Sequence, residues 1–135
     1  MKYNLKLERN KLNLVLGILL LVMVGLGCDK LTGRSLENTS WKGSFTDSAS
    51  KQSFPIAIDL LPSGKAFVSI TLPKATQPVG TTGTWTKGND NSVSVIWGSG
   101  TVNNIYNATI KGDQMNGNIN NPQGSLPLNL TKEKK

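Results

Sequence analysis

Few residues in this chain can do chemistry. Its 135 residues include no histidine and a single cysteine, Cys28. Histidine is the commonest general base and transition-metal ligand, so the usual routes to acid–base catalysis and metal binding are missing. Asp and Glu total eight, and those after Cys28 fall mostly in predicted turns or near the chain end, with no pair set to converge on a substrate. We therefore predict a protein that is not an enzyme, with no cofactor and no metal site.

Cys28 follows a segment with the features of an export signal. Residues 1–13 carry four basic residues and one acid, and the apolar run 14–27 is uncharged. A basic stretch, a short apolar run and small residues before a cleavage point are typical of a secretory signal peptide. The run is shorter than the ~20 apolar residues of a spanning helix, so a transmembrane anchor is the less favoured alternative.

The end of the apolar run, Val24–Cys28 (VGLGC), resembles the bacterial lipobox. The resemblance implies that the Cys28 sulfur receives a diacylglycerol and that a peptidase cuts between Gly27 and Cys28. The new amino group would then be acylated, with palmitate among the expected acyl chains. Two or more chains anchor a protein stably in a bilayer. We therefore expect a lipoprotein of the bacterial cell envelope, and the choice between inner and outer membrane stays open.

The chain divides into four predicted segments. These are a signal peptide (1–27), a lipidated cysteine with a flexible tether (28–39), a β domain (40–132) and a basic tail (133–135). The formal net charge is +7, of which residues 1–27 contribute +3, so the remainder carries about +4. Arg34 is the one arginine after the signal segment, and the sequence shows no basic patch with interleaved aromatics. We therefore predict no nucleic-acid partner.

From residue 40 onward the hydrophobic pattern alternates with a period of two, which predicts β-strands separated by Gly, Asn, Asp and Pro turns. About eight short strands joined by tight turns predict an antiparallel up-and-down meander, either closed as a small barrel or, alternatively, arranged as a β-sandwich. The predicted strands centre on Trp41–Phe45, Phe54–Leu60, Val68–Leu72, Thr81–Lys87, Val93–Trp97, Tyr106–Ile110, Met115–Ile119 and Leu126–Leu130.

One connection, Pro73–Gly80, is longer than its neighbours and holds two prolines. Long connections in compact domains are often functional. In a barrel this one would lie over a mouth or run along the outside. A plain crossover stiffened by proline is the structural alternative.

Three segments resemble the small barrels of the calycin group, the lipocalin-like and avidin-like proteins. They are Trp41–Phe45 (WKGSF), Gly83–Trp85 (GTW) and the hairpin Ile110–Gly117 (IKGDQMNG). The resemblance implies a closed barrel. It does not identify a ligand, because one fold hosts many functions.

Five aromatic residues occupy strand positions that the two-residue alternation places on the inner face of the sheet, here called the inward parity: Trp41, Phe45, Trp85, Trp97 and Tyr106. They either line a cup for a small apolar or amphipathic ligand or form the core. An eight-stranded barrel has an interior just wide enough to be filled by side chains or to hold one small ligand. The sequence thus favours a membrane-anchored, non-catalytic interaction or structural module that contacts an envelope protein. The alternative is lipocalin-like ligand binding.

Overall fold

The computed structural model describes residues 35–99 and 101–134. It confirms the all-β prediction and all eight strands. The strands are β1 (Thr39–Thr46), β2 (Ser53–Leu60), β3 (Lys65–Ile70), β4 (Val79–Lys87), β5 (Ser92–Ser99), β6 (Val102–Lys111), β7 (Gln114–Asn121) and β8 (Gly124–Lys132).

The strands form a closed antiparallel barrel in sequence order, so the sandwich alternative is wrong. Each strand pairs with the next one along the chain, and β1 closes the barrel by pairing with β8 from Trp41 opposite Lys132 to Ser44 opposite Asn129. Turn residues explain why the hairpins are so short. Gly112 between β6 and β7 has φ +62°, a conformation that glycine adopts without steric cost.

The third strand is shorter than its sequence pattern predicts. The alternation of Val68, Ile70 and Leu72 suggests three inward residues, but β3 ends at Ile70. Leu72 is 47% exposed. The reason is the register of the neighbouring strand. β4 begins at Val79 opposite Ile70, so Leu72 lies beyond the paired segment and directly before Pro73.

The packed unit begins earlier than the predicted boundary at residue 40. Leu36 and Thr39 are buried, and residues 36–134 belong to one compact unit. Four residues assigned to the tether therefore belong to the barrel. At the other end, the Glu133 backbone N–H donates to the Ser40 carbonyl at 2.8 Å, so the basic tail begins as an attached segment.

The predicted signal helix, the cleavage site and Cys28 lie outside the described residues. Within 35–99 and 101–134, the structure contains no helix with the length and apolar character to cross a membrane.

The barrel has two ends, a proximal end and a distal mouth. The proximal end is where the described chain enters: β1 begins there and β8 ends there. The distal mouth is the opposite end, formed by the turn 47–52, the connection 71–78, the turn between β5 and β6, and the turn between β7 and β8. Because neighbouring strands are antiparallel, all four of these connections meet at one rim.

Candidate functional site

The five aromatic residues singled out in the sequence all lie on the inward parity of their strands, but to different depths. Trp41, Trp97 and Tyr106 are buried, with at most 5% of each side chain exposed. Phe45 and Trp85 are partly buried and pack against the same core. The first three therefore act as core residues in this structure, and Phe45 and Trp85 are the members of the set that a molecule outside the barrel could reach.

The buried hydroxyl of Tyr106 is bonded within the barrel wall. It lies 3.0 Å from the Met115 carbonyl oxygen and 3.1 Å from the Leu128 carbonyl oxygen, so it can donate to either. Burial raises the pKa of the Tyr106 phenol above its ordinary value, because the phenolate would lose its hydration. The hydroxyl is therefore a neutral structural donor that links β6 to β7 and β8.

A short hydrogen-bonded chain closes the proximal end. The indole Nε1–H of Trp41 donates to Thr39 Oγ1 at 2.9 Å, and the Thr39 hydroxyl donates to the Leu36 carbonyl oxygen. All three residues are buried. Every polar atom in this group has a partner, so burying it carries no desolvation penalty for an unpaired group. We call Leu36, Thr39 and Trp41 the proximal seal.

Side chains fill the interior. Nine large inward residues expose less than 2% of their surface: Trp41, Tyr106, Ile58, Leu60, Met115, Leu128, Leu130, Val68 and Val95. They come from seven of the eight strands. A barrel of this size has no room for both such a core and a deep ligand site. A ligand site in the interior is thus restricted to the layer next to the distal mouth.

The distal mouth is built from apolar residues that are only partly covered. The rings of Phe45 and Phe54 stack with centroids 5.3 Å apart and planes at 15°. Beyond them, Leu72, Val79 and Val102 are 47%, 60% and 51% exposed. Single exposed apolar residues are ordinary on protein surfaces. Three at one rim make this mouth a candidate interaction surface.

Two turns frame this mouth. In the turn 47–52, the Asp47 carboxylate accepts hydrogen bonds from the hydroxyl and from the backbone N–H of Ser50. These bonds, led by the one from the hydroxyl, hold the pKa of Asp47 below its ordinary value. In the connection 71–78, the Ala75 N–H donates to the Leu72 carbonyl at 3.0 Å. The loop thus folds on itself and presents Leu72 at its base.

Charged residues are distributed unevenly between the two ends. The distal mouth carries Asp47, Lys51 and Lys74, and the other charged residues that the structure describes lie nearer the proximal end. That proximal set comprises Lys42, Lys65, Lys87, Lys111, Lys132 and Lys134 with Glu37, Asp59, Asp90, Asp113 and Glu133. One ion pair within it joins Lys42 to Glu133. Of the charged residues that the structure describes, three therefore lie at the distal mouth and eleven nearer the proximal end.

The chain matches no protein-family model, no curated protein and no solved structure. The resemblance to the lipobox and to calycin barrels stays a prediction from the sequence. Among residues 35–99 and 101–134 there is no group of acids, histidines or cysteines placed to hold a metal ion. Function must therefore be argued from the geometry of the barrel surface.

The sequence located the aromatic residues correctly and missed the distal mouth. Leu72 was assigned to the core, and Val79 and Val102 fell outside the predicted strand segments. Alternation does extend to Val79 and Val102, which continue the inward parity of Trp85 and Tyr106. It does not reveal that the barrel ends at their level, because that depends on the stagger between strands.

Proposed function

We propose that this protein is a lipid-anchored bacterial envelope lipoprotein whose barrel is a non-catalytic interaction module that contacts a protein partner through its distal mouth. The observation that carries the proposal is the contrast between a filled interior and a rim with exposed apolar side chains. Leu72, Val79 and Val102 are the three most exposed large apolar residues that the structure describes, and all three lie at this rim.

The position of the proposed anchor supports this use of the distal mouth. Leu36 enters the proximal end eight residues after Cys28. Eight residues span at most about 29 Å when extended. A lipid on Cys28 would thus keep the proximal end near the headgroups, where its lysines and acids stay hydrated. The opposite rim would face away from the bilayer and toward other envelope proteins.

The anchor is tested by replacing its only thiol. In a bacterial host fed radiolabelled palmitate, the natural chain should incorporate label and run as a shortened mature form. The Cys28→Ser variant should incorporate none and keep its full length, because the peptidase requires the lipidated cysteine. Equal labelling of both chains would refute lipidation at Cys28. A Ser35→Ala variant, beyond the lipobox, serves as the matched control.

The partner surface is tested by photocrosslinking in the same cells. A benzoylphenylalanine at Gln77, in the connection 71–78, should give a discrete adduct with an envelope protein. The same residue at Asn89, in the proximal turn between β4 and β5, should give none. Both positions are exposed, so the comparison isolates location. Adducts of equal yield at both positions, or none at Gln77, would contradict the proposal.

A second function is favoured by one observation, the accessible aromatic pair. Phe45, Phe54 and Ile70 are partly buried and share the inward parity at the distal mouth. Together they form a shallow apolar floor that could hold the end of an acyl chain. This is the form that lipocalin-like binding takes in a barrel whose deeper layers are filled.

A photoreactive fatty acid tests that second function. Labelled peptides mapped by mass spectrometry should include residues 44–54, and labelling there should fall in the Phe54→Ala variant. Leu61→Ala is the control, because Leu61 is an exposed apolar residue at the proximal end. Labelling spread evenly over both ends would show that the probe only partitions onto apolar surface.

A further inference from the structure

A groove of about 450 Å³ lies on the outer wall of the barrel, beside the proximal turn between β4 and β5. Its lining comes from four consecutive strands, β4 to β7, and from Gly88 in that turn. One row of outward side chains crosses all four in register: Thr86 lies opposite Ser94, Ser94 opposite Asn107, and Asn107 opposite Asn118. A second row crosses three of the strands, with Ser92 opposite Thr109 and Thr109 opposite Asn116.

The floor of the groove is close to the backbone. Val93 and Ala108 also line it, although their side chains are buried in the core, so they offer mainly main-chain atoms. Gly117 completes this floor. A Cβ at Gly117 would collide with the Asn107 carbonyl oxygen, which shows how closely β7 approaches β6 there. The concavity is therefore built into the sheet and does not depend on flexible loops.

The polar groups of the groove are available to a ligand. The side chains of Thr86, Ser94, Asn107, Thr109 and Asn118 make no hydrogen bond within the described chain. Each asparagine amide offers two donors and an acceptor oxygen, and each hydroxyl offers both functions. No charged and no aromatic residue lines the groove. The surface thus presents a dense, neutral array of mixed donors and acceptors.

We infer that this outer-wall groove binds a neutral carbohydrate chain. A glycan offers hydroxyl groups that both donate and accept, which matches alternating amides and hydroxyls. Same-face residues are about 7 Å apart along a strand and about 4.8 Å apart between strands, so two rows can engage one extended oligosaccharide along its length. An anionic ligand would leave its charge without a cationic partner, and an apolar one would leave the amides unpaired.

The experiment is an NMR titration of the full chain in a zwitterionic detergent without a sugar headgroup. The probes are cellohexaose and chitohexaose, which are neutral, and hexagalacturonate, which is anionic. The expected result is amide shifts at Ser94, Asn107 and Asn118 with at least one neutral probe at millimolar concentration. Hexagalacturonate should bind more weakly, since the groove supplies no positive charge. Absence of groove shifts with both neutral probes, or equal binding of the anionic one, would overturn the inference.

Substitutions inside and outside the groove test whether the ligand binds there or elsewhere on the barrel wall. The double variant N107A/N118A should weaken binding about tenfold, since it removes two amides that can hydrogen-bond the ligand. Asn103→Ala is the matched control, because Asn103 is an exposed outward asparagine at the distal end of β6 that does not line the groove. Binding that Asn103→Ala weakens as much as the double variant, or that neither change affects, would refute the site. Crosslinking from Gln77 should be unaffected by the double variant, so the two functions can fail independently.

Discussion

The proximal end and the distal mouth are made by the same eight strands and differ in every physical property. At the proximal end, Leu36 and Trp41 are buried and the surrounding rim is charged. At the distal mouth, Phe45 is only partly covered, and Val79 is 60% exposed with few charges near it. One end of the sheet is closed by the chain itself, and the other leaves apolar side chains exposed.

This difference implies that the residues that stabilise the fold and the residues proposed to contact a partner lie at opposite ends of the barrel. Burial per residue is highest between the proximal seal and the middle of the barrel, so most of the folding free energy must arise there. The distal residues contribute less because water already covers part of their surface. A protein arranged in this way can change its rim without losing its fold. Four substitutions test whether the proximal end contributes more to stability than the distal mouth does.

Trp41→Ala should have the largest effect. The side chain is 1% exposed and its indole N–H donates to Thr39 Oγ1, so its removal leaves a cavity and takes away one buried hydrogen bond. The free energy of unfolding should fall by about 3–5 kcal/mol, measured by urea unfolding followed by circular dichroism. A loss below about 1.5 kcal/mol, typical of exposed sites, would show that the proximal end is not the more stable one.

Phe45→Ala, at the distal mouth, should cost about 2 kcal/mol, because the ring is half-buried and loses its stack on Phe54. The same urea experiment measures it. The informative quantity is its ratio to the Trp41→Ala loss. Equal losses at the two ends would erase the proposed difference between them.

Tyr106→Phe should lower the free energy of unfolding by about 1 kcal/mol at neutral pH, the net value of a buried hydrogen bond. Burial raises the folded-state pKa of this phenol above the unfolded value near 10. Its contribution is therefore complete below about pH 10 and is lost as the pH rises further. Unfolding curves of both chains from pH 7 to 11 should converge at the alkaline end. Parallel curves would exclude the ionisation of Tyr106 as the cause.

Val102→Ser should have the smallest effect on stability, within about 0.5 kcal/mol, because half of the side chain is already in water. It should nevertheless reduce the Gln77 photocrosslink markedly if the distal mouth holds the partner. Thr101→Ser, next to it, is the matched control. An unchanged crosslink would restrict the contact to the connection 71–78.

The sequence predicted the strands well because alternation is a local property. Trp41, Trp97 and Tyr106 were placed on the correct face from a period of two alone, and the structure buries all three. Closure of the sheet could not be predicted in the same way, because the pairing of β1 with β8 joins residues about 90 positions apart and leaves no local pattern.

The features that matter most for function were the least visible. Leu36 is a single apolar residue in a polar segment, so nothing in its neighbourhood predicts that it is buried. The exposure of Leu72 depends on where β4 begins. The row from Thr86 to Asn118 exists only because four strands share one register. For Leu72 and for this row, the decisive quantity is the stagger between strands.

The register of closure also determines the order in which the barrel can assemble. Seven of its eight strand pairings join neighbours along the chain, and the eighth joins β1 to β8. Hairpins form within microseconds, whereas contacts between distant segments must wait for a larger loss of chain entropy. The seven sequential pairings can therefore form an open ribbon of eight strands in which β1 and β8 are still unpaired edges. Residues 129–132 act as the closing seam, and until they pair, the ribbon is the state most exposed to aggregation.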